Sequence, residues 1–135
     1  MIGADLRAAV RQRARDRCEY CGLLQGHLAF APFHVDHIIA RQHGGGDDFG
    51  NLALACYRCN LSKGPNLTGL DPDTGLVTPL FNPRQDTWHE HFALREAKIV
   101  GLTDVGRATV QVLDMTAAER LKLRAEVADE GGKGD

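Results

Sequence analysis

The sequence predicts a small single domain of the α+β class. Three observations carry the prediction. Residues 5–17 repeat apolar positions at helical spacing, with Leu6, Ala9, Val10 and Ala14 on one face and arginines over most of the rest. Residues 33–41, Phe-His-Val-Asp-His-Ile-Ile-Ala-Arg, alternate enough for a strand and carry the β-branched Val35, Ile38 and Ile39. The four cysteines fall into two Cys-x-x-Cys pairs, Cys18/Cys21 and Cys56/Cys59, one on either side of that strand.

The elements follow in order. The first helix runs from Asp5 to Arg17 into Cys18, and Gly22 permits a tight turn after the second cysteine. Gly44-Gly45-Gly46-Asp47-Asp48 is a loop. Asn51 to Lys63 reads as a helix with Leu52, Leu54, Ala55 and Leu61, N-capped by Asn51 and ended at Gly64-Pro65. Leu70 to Phe81 reads as a hairpin turning at Asp73-Thr74-Gly75, and His91–Arg95 with Lys98–Gly101 as a second one. Thr103 caps a short helix carrying Val105, Ala108 and Val112, although Thr109, Val110 and Val112 also suit a strand. Thr116-Ala117-Ala118-Glu119 is a capping-box pattern, which starts a final helix to about Asp129. Trp88 and Phe92 read as a packing pair rather than a base-stacking platform.

Composition narrows the class. The 135 residues suffice for one compact domain with a modest core. No apolar run approaches the roughly 20 residues that span a bilayer. The N-terminus is Arg-rich without a continuous apolar stretch, so no secretory signal is read there and a cytoplasmic location is expected. The net charge of −2 is unhelpful for binding phosphate. It is uneven, however: residues 5–17 hold five arginines against two aspartates, and residues 64–135 hold eight basic and twelve acidic side chains. Any nucleic-acid face is therefore expected to draw on the N-terminal arginines.

Zinc prefers four thiolate or imidazole ligands in a tetrahedron. Two cysteine pairs at identical spacing, with no cysteine left over, suit one ion, and in a reducing compartment zinc is favoured over disulfides. With Cys18, Cys21, Cys56 and Cys59 all engaged, the site is closed and therefore structural. A redox role would need a thioredoxin-like context, and the sequence offers none.

Taken together, Cys18-x-x-Cys21, His34-Val35-Asp36-His37-Ile38, the triple glycine, Asn51-Leu52 and Cys56-x-x-Cys59-Asn60-x-x-Lys63-Gly64 resemble the HNH nucleases, also called the ββα-metal or His-Me finger family. The resemblance covers about a third of the chain. It implies a two-stranded hairpin packed on a helix around a divalent metal, with a treble-clef-like zinc knuckle. It divides the chain into a nuclease core with the N-terminal helix and zinc site (1–66), a C-terminal α+β extension packed on that core (67–130) and a flexible tail (131–135). Stretches such as Leu80-Phe81-Asn82-Pro83-Arg84 are similar to extensions in one bacterial subgroup of the family.

Carried over by position, the resemblance makes His37 the general base that takes a proton from the attacking water. A histidine titrates near working pH and suits that task. Asp36 and Asn60 would hold a catalytic divalent ion, Mg²⁺ or Mn²⁺, through hard oxygen donors. Asn51 would hold the loop that orients the base. His34, two residues before Asp36, would share its side of the strand and touch metal or phosphate, and Lys63 either contacts phosphate or is a solvated helix-end lysine. The implied reaction is metal-assisted phosphodiester hydrolysis of double-stranded DNA, leaving 5′-phosphate and 3′-hydroxyl ends. Two other readings compete: a zinc-stabilised nucleic-acid- or protein-binding module without catalysis, and a nuclease for RNA or structured substrates. No recognition helix is visible, so specificity would be low or come from a protein partner or a homodimer.

Overall fold

The computed structural model describes residues 2–131; the expected tail lies, beyond Gly131, outside them. The first helix, α1, is Ala4–Ala14. It stops three residues before the expected end because Arg15 and Asp16 both take left-handed backbone, φ 57° and 55°. The Arg15 amide then closes the helix onto the carbonyls of Arg11 and Gln12. The chain turns through the first cysteine pair, where Gly22 sits at φ +82°.

The central unit is strand–strand–helix. Strand β1 is His34–His37, β2 is Leu52–Ala55, and α2 is Tyr57–Lys63. The strands pair antiparallel with His37 opposite Leu52 and His34 opposite Ala55. This corrects the single helix expected over 51–63: its first half is β2, and the helix cap is Cys56, whose sulfur accepts from the Cys59 amide. All four residues of Leu52-Ala53-Leu54-Ala55 are 0% exposed. A strand buried on both faces has no reason to alternate and reads like a helix segment. Both edges of β2 are satisfied. β1 pairs with one, and the Glu19 backbone and carboxylate bracket Leu54 on the other, with 2.8 Å bonds from Glu19 N to Leu54 O and from Leu54 N to Glu19 Oε2.

The rest of the described chain forms two hairpins and three helices against this unit. Strands β3 (Thr68–Leu70) and β4 (Val77–Pro79) turn through residues 71–76, close to the expected position. Strands β5 (Phe92–Arg95) and β6 (Lys98–Gly101) form the second hairpin, preceded by a short helix, α3, at Trp88–His91. Helix α4, Asp104–Val112, carries the expected Thr103 cap, with Thr103 Oγ1 accepting from Gly106 N at 3.0 Å. Helix α5 is Ala118–Gly131. The Glu119 of its expected capping box pairs instead with Arg58.

An aromatic chain joins these parts. Trp88 packs on Phe92 at 5.0 Å between centroids, Phe92 on Phe81 at 5.3 Å, and Phe81 edge-on to Tyr20 at 6.5 Å. The Trp88 indole donates to Tyr20 O at 2.8 Å. Trp88 and Phe92 are thus core, as expected. Among the described residues, no helix is long and apolar enough to cross a membrane.

Asp71, fully buried, pins the β3–β4 hairpin to α4. Both its oxygens accept from Arg107, at 2.9 Å each. The guanidinium holds the carboxyl well below the usual carboxylate range. A lowered folded-state value means that this stabilisation is fully present above the unfolded value of about 3.9 and is lost as pH falls through the folded one. Amide exchange in β3 and β4 should therefore accelerate on acidification below about pH 4. Arg107→Gln should reproduce the loosening at neutral pH while β1 stays protected. In the core, Leu54→Ala should cost about 2–5 kcal/mol in chemical denaturation of the metal-loaded protein.

Candidate active site and metal centre

The four cysteines converge. Their sulfurs all lie within 4.8 Å of one another and all are buried. A tetrahedron of Zn–S bonds of ~2.3 Å puts sulfurs about 3.8 Å apart, and Cys21 Sγ lies 3.8 Å from Cys56 Sγ. Each Cys-x-x-Cys turn is closed by an amide on sulfur at 3.4 Å, Cys21 N on Cys18 and Cys59 N on Cys56. Burial pushes the Cys18 and Cys59 thiols up, whereas bonds within the tetrad lower Cys21. Four sulfurs this close ionise together only if a cation shares the charge, so donor set and spacing fit a closed structural zinc site.

The C-terminal helix reaches into that centre. Arg120 Nη2 lies 3.0 Å from Cys59 Sγ and 3.8 Å from Cys56 Sγ, and its Nη1 donates to Leu113 O at 2.7 Å. Arg124 donates to Cys21 O at 2.6 Å. Burial opposes the Arg120 charge, but the facing sulfurs outweigh it and the guanidinium is held more firmly protonated than usual. This cation matches the negative charge of a four-thiolate zinc site.

Asp36 is the second junction. It is 4% exposed; its Oδ2 accepts from the Tyr20 hydroxyl at 2.7 Å and lies 3.3 Å from Lys63 Nζ. Burial raises its carboxyl above the usual range, partly offset by Lys63 and Tyr20. Lys63, 2% exposed, also donates to the carbonyls of His37 and Ile38 at 3.2 Å each. It is thus a buried tie between α2 and the end of β1, neither a phosphate contact nor a solvated helix end. As an ion ligand, Asp36 has the right chemistry but an occupied carboxylate. A divalent ion about 4 Å from the ammonium would meet roughly 8 kcal/mol of repulsion at an effective dielectric of 20, so an ion bound there would compete with Lys63 for the carboxylate.

His37 closes β1 with its ring half-buried. Its Nε2 lies 2.8 Å from Asp47 Oδ1, which Arg41 Nη2 also approaches at 2.7 Å. The bond to His37, reinforced by Arg41, holds Asp47 down at about 2. Asn51 locks the intervening loop: Oδ1 accepts from Ile39 N at 2.9 Å, and Nδ2 donates to Ile39 O at 3.0 Å and Gly46 O at 2.8 Å. The loop lies so close to β1 that a Cβ on Gly45 would stand 1.7 Å from Ile39 O, leaving room for glycine alone.

The other two expected site residues make no side-chain hydrogen bond to this cluster among the described residues. Asn60 is half-buried in α2 and makes no side-chain hydrogen bond among the described residues. His34, at the far end of β1, is exposed, its ring 6.3 Å from Tyr57. Of the N-terminal arginines, Arg11 donates to Phe33 O at 2.9 Å, Arg13 to Leu52 O and Phe49 O, and Arg17 to Gly22 O. These three brace the fold, which leaves the exposed Arg7 and Arg15 for any partner. A cavity of about 640 Å³ is lined by Arg17, Glu19, Trp88 and Arg124 but by neither Asp36 nor His37. The residues that reading the sequence missed are Tyr20, Asp47 and Arg120. Asp47 alone left a local signal, as a carboxylate directly after a glycine run and four residues before Asn51.

Two outcomes are expected. Arg120→Met should speed zinc transfer to a chromophoric chelator by about tenfold or more, with Arg120→Lys intermediate, because residues bonded to metal ligands typically contribute 10–100-fold in affinity. Asn51→Ala should speed amide exchange at residues 39–47 while leaving zinc content unchanged.

Comparison with known proteins agrees with this geometry. Searches of curated proteins and of solved structures return no match. The family model described as HNH endonuclease matches residues 18–66, which span both cysteine pairs, β1, the Asn51 loop, β2 and α2. That family is one of nucleases, which makes nucleic acid the expected class of substrate. Residues 18–66 of this α+β chain match the HNH endonuclease family model.

Proposed function

We propose that this chain is a metal-dependent endonuclease that hydrolyses phosphodiester bonds in double-stranded DNA, with His37 as the general base and 5′-phosphate and 3′-hydroxyl ends as products. The observation that carries the reading is the placement of His37. It ends the first strand of an HNH-matched segment, beside a loop that Asn51 locks and a carboxylate that holds its ring. A ring so held can take a proton from water without first paying for its own ordering.

Asp36 and Asn60 are the residues that would hold the divalent ion, Mg²⁺ or Mn²⁺, with Lys63 giving way. The ion would supply Lewis-acid stabilisation of the charge that develops on phosphate. The zinc tetrad is structural in this reading. His34, exposed beside Tyr57, would contact the metal or the scissile phosphate in this reading. A cytoplasmic location and a protein partner or homodimer that supplies specificity belong to the same proposal.

One observation favours a second reading. The buried Asp36 carboxylate is engaged by both Lys63 and Tyr20, an arrangement that would also suit a structural pair in a zinc-stabilised binding module that does not catalyse.

Supercoiled-plasmid nicking separates the two. The zinc-loaded protein should nick DNA with Mg²⁺ or Mn²⁺ and stop when EDTA removes the added ion. His37→Ala should lose about a hundredfold or more of the rate, the usual contribution of a general base, with fold and zinc intact. Parallel digests of single strands and RNA test the substrate. Failure of folded, zinc-loaded protein on all of them would establish the module instead.

A further inference from the structure

We propose that Asp47 is the positioning residue for His37: its carboxylate accepts the Nε2 proton of the ring and so leaves Nδ1 as the basic nitrogen. The inference rests on the nuclease reading above for its catalytic meaning, and on geometry for the tautomer.

Three observations carry it. Asp47 Oδ1 stands 2.8 Å from His37 Nε2, a full hydrogen bond. The carboxylate is set by the loop on both sides, since the carbonyl of Gly46, the residue before it, is held by Asn51 Nδ2 and the glycine before that is pressed against Ile39 O. Arg41 binds the same oxygen at 2.7 Å, which keeps Asp47 ionised and turned toward the ring. A carboxylate on one nitrogen of an imidazole fixes which nitrogen carries the proton and supports the imidazolium once it forms. Asn51 therefore acts on the base through Asp47. It locks the loop, the loop carries the carboxylate, and the carboxylate turns the ring.

A water O–H gives its proton to His37 Nδ1 as the water oxygen bonds to phosphorus. The bond from phosphorus to the 3′ oxygen breaks with its electron pair on that oxygen, which takes a proton from solvent. His37 then returns its proton to solvent. Asp47 stays ionised throughout.

The test has two readouts. Nitrogen-15 spectra of the histidine rings, taken on zinc-loaded protein without nucleic acid, should show the neutral His37 ring protonated on Nε2. In Asp47→Asn the population should move toward the Nδ1–H form. With plasmid and Mn²⁺, Asp47→Asn should lower kcat by about a hundredfold and leave KM within about threefold. Asp47→Glu should restore part of the loss, and Asp48→Asn, at the neighbouring exposed carboxylate, should change neither readout. A wild-type ring protonated on Nδ1 would overturn the proposal, as would an unchanged tautomer in Asp47→Asn, a kcat within threefold of wild type, or an equal effect from Asp48→Asn. If the tautomer responds as stated but wild type cleaves nothing, the positioning stands and the nuclease reading fails.

Discussion

The structure depends on the meeting of Cys18, Cys21, Cys56 and Cys59. Thirty-four residues separate the two pairs, and everything between them is held in place by their convergence. The first pair carries Glu19 and Tyr20 within its turn. Glu19 brackets Leu54 on the outer edge of the second strand, and Tyr20 reaches Asp36 on the first. The second pair starts the helix that delivers Lys63 to the same aspartate. A chain of this length has a modest core, and a metal that ties two distant turns turns its binding energy into folding energy. The C-terminal helix joins the same centre through Arg120, so the segment beyond the family match shares in the charge balance of the sulfurs.

The same economy governs the cations. A sequence with net charge −2 has few positive side chains to spare, yet it uses several internally. Arg11, Arg13 and Arg17 cap carbonyls, Lys63 joins strand to helix, Arg107 pins a hairpin and Arg120 faces sulfur. Each engages a carbonyl, carboxylate or sulfur within the fold. Among the N-terminal arginines, Arg7 and Arg15 remain exposed.

Much of the fold was legible from the sequence. The cysteine spacing foretold the tetrad, Asp73-Thr74-Gly75 the first C-terminal hairpin, and Thr103 the helix it caps. The second strand of the central hairpin was not, because Leu52-Ala53-Leu54-Ala55 is buried all round and shows no period of two; only the family resemblance implied it. In the site, His37 and Asn51 were legible as types in an order. The surroundings of Asp36 were not, since a tyrosine inside a cysteine turn and a lysine at a helix end carry no local sign that they will meet. Asp47 was passed over as loop polarity, and its pairing with His37 depends on a loop conformation that only Gly45 and Asn51 together impose.

Amide exchange across the central unit, followed before and after zinc is stripped by a chelator, tests the dependence on the tetrad most directly. The account predicts that protection in His34–His37 and in Tyr57–Lys63 collapses together with loss of the metal, since the two pairs then no longer hold knuckle, strand and helix in register. Undiminished protection of both segments in the metal-free protein would contradict it and would shift the stabilising role to the aromatic and aliphatic core alone.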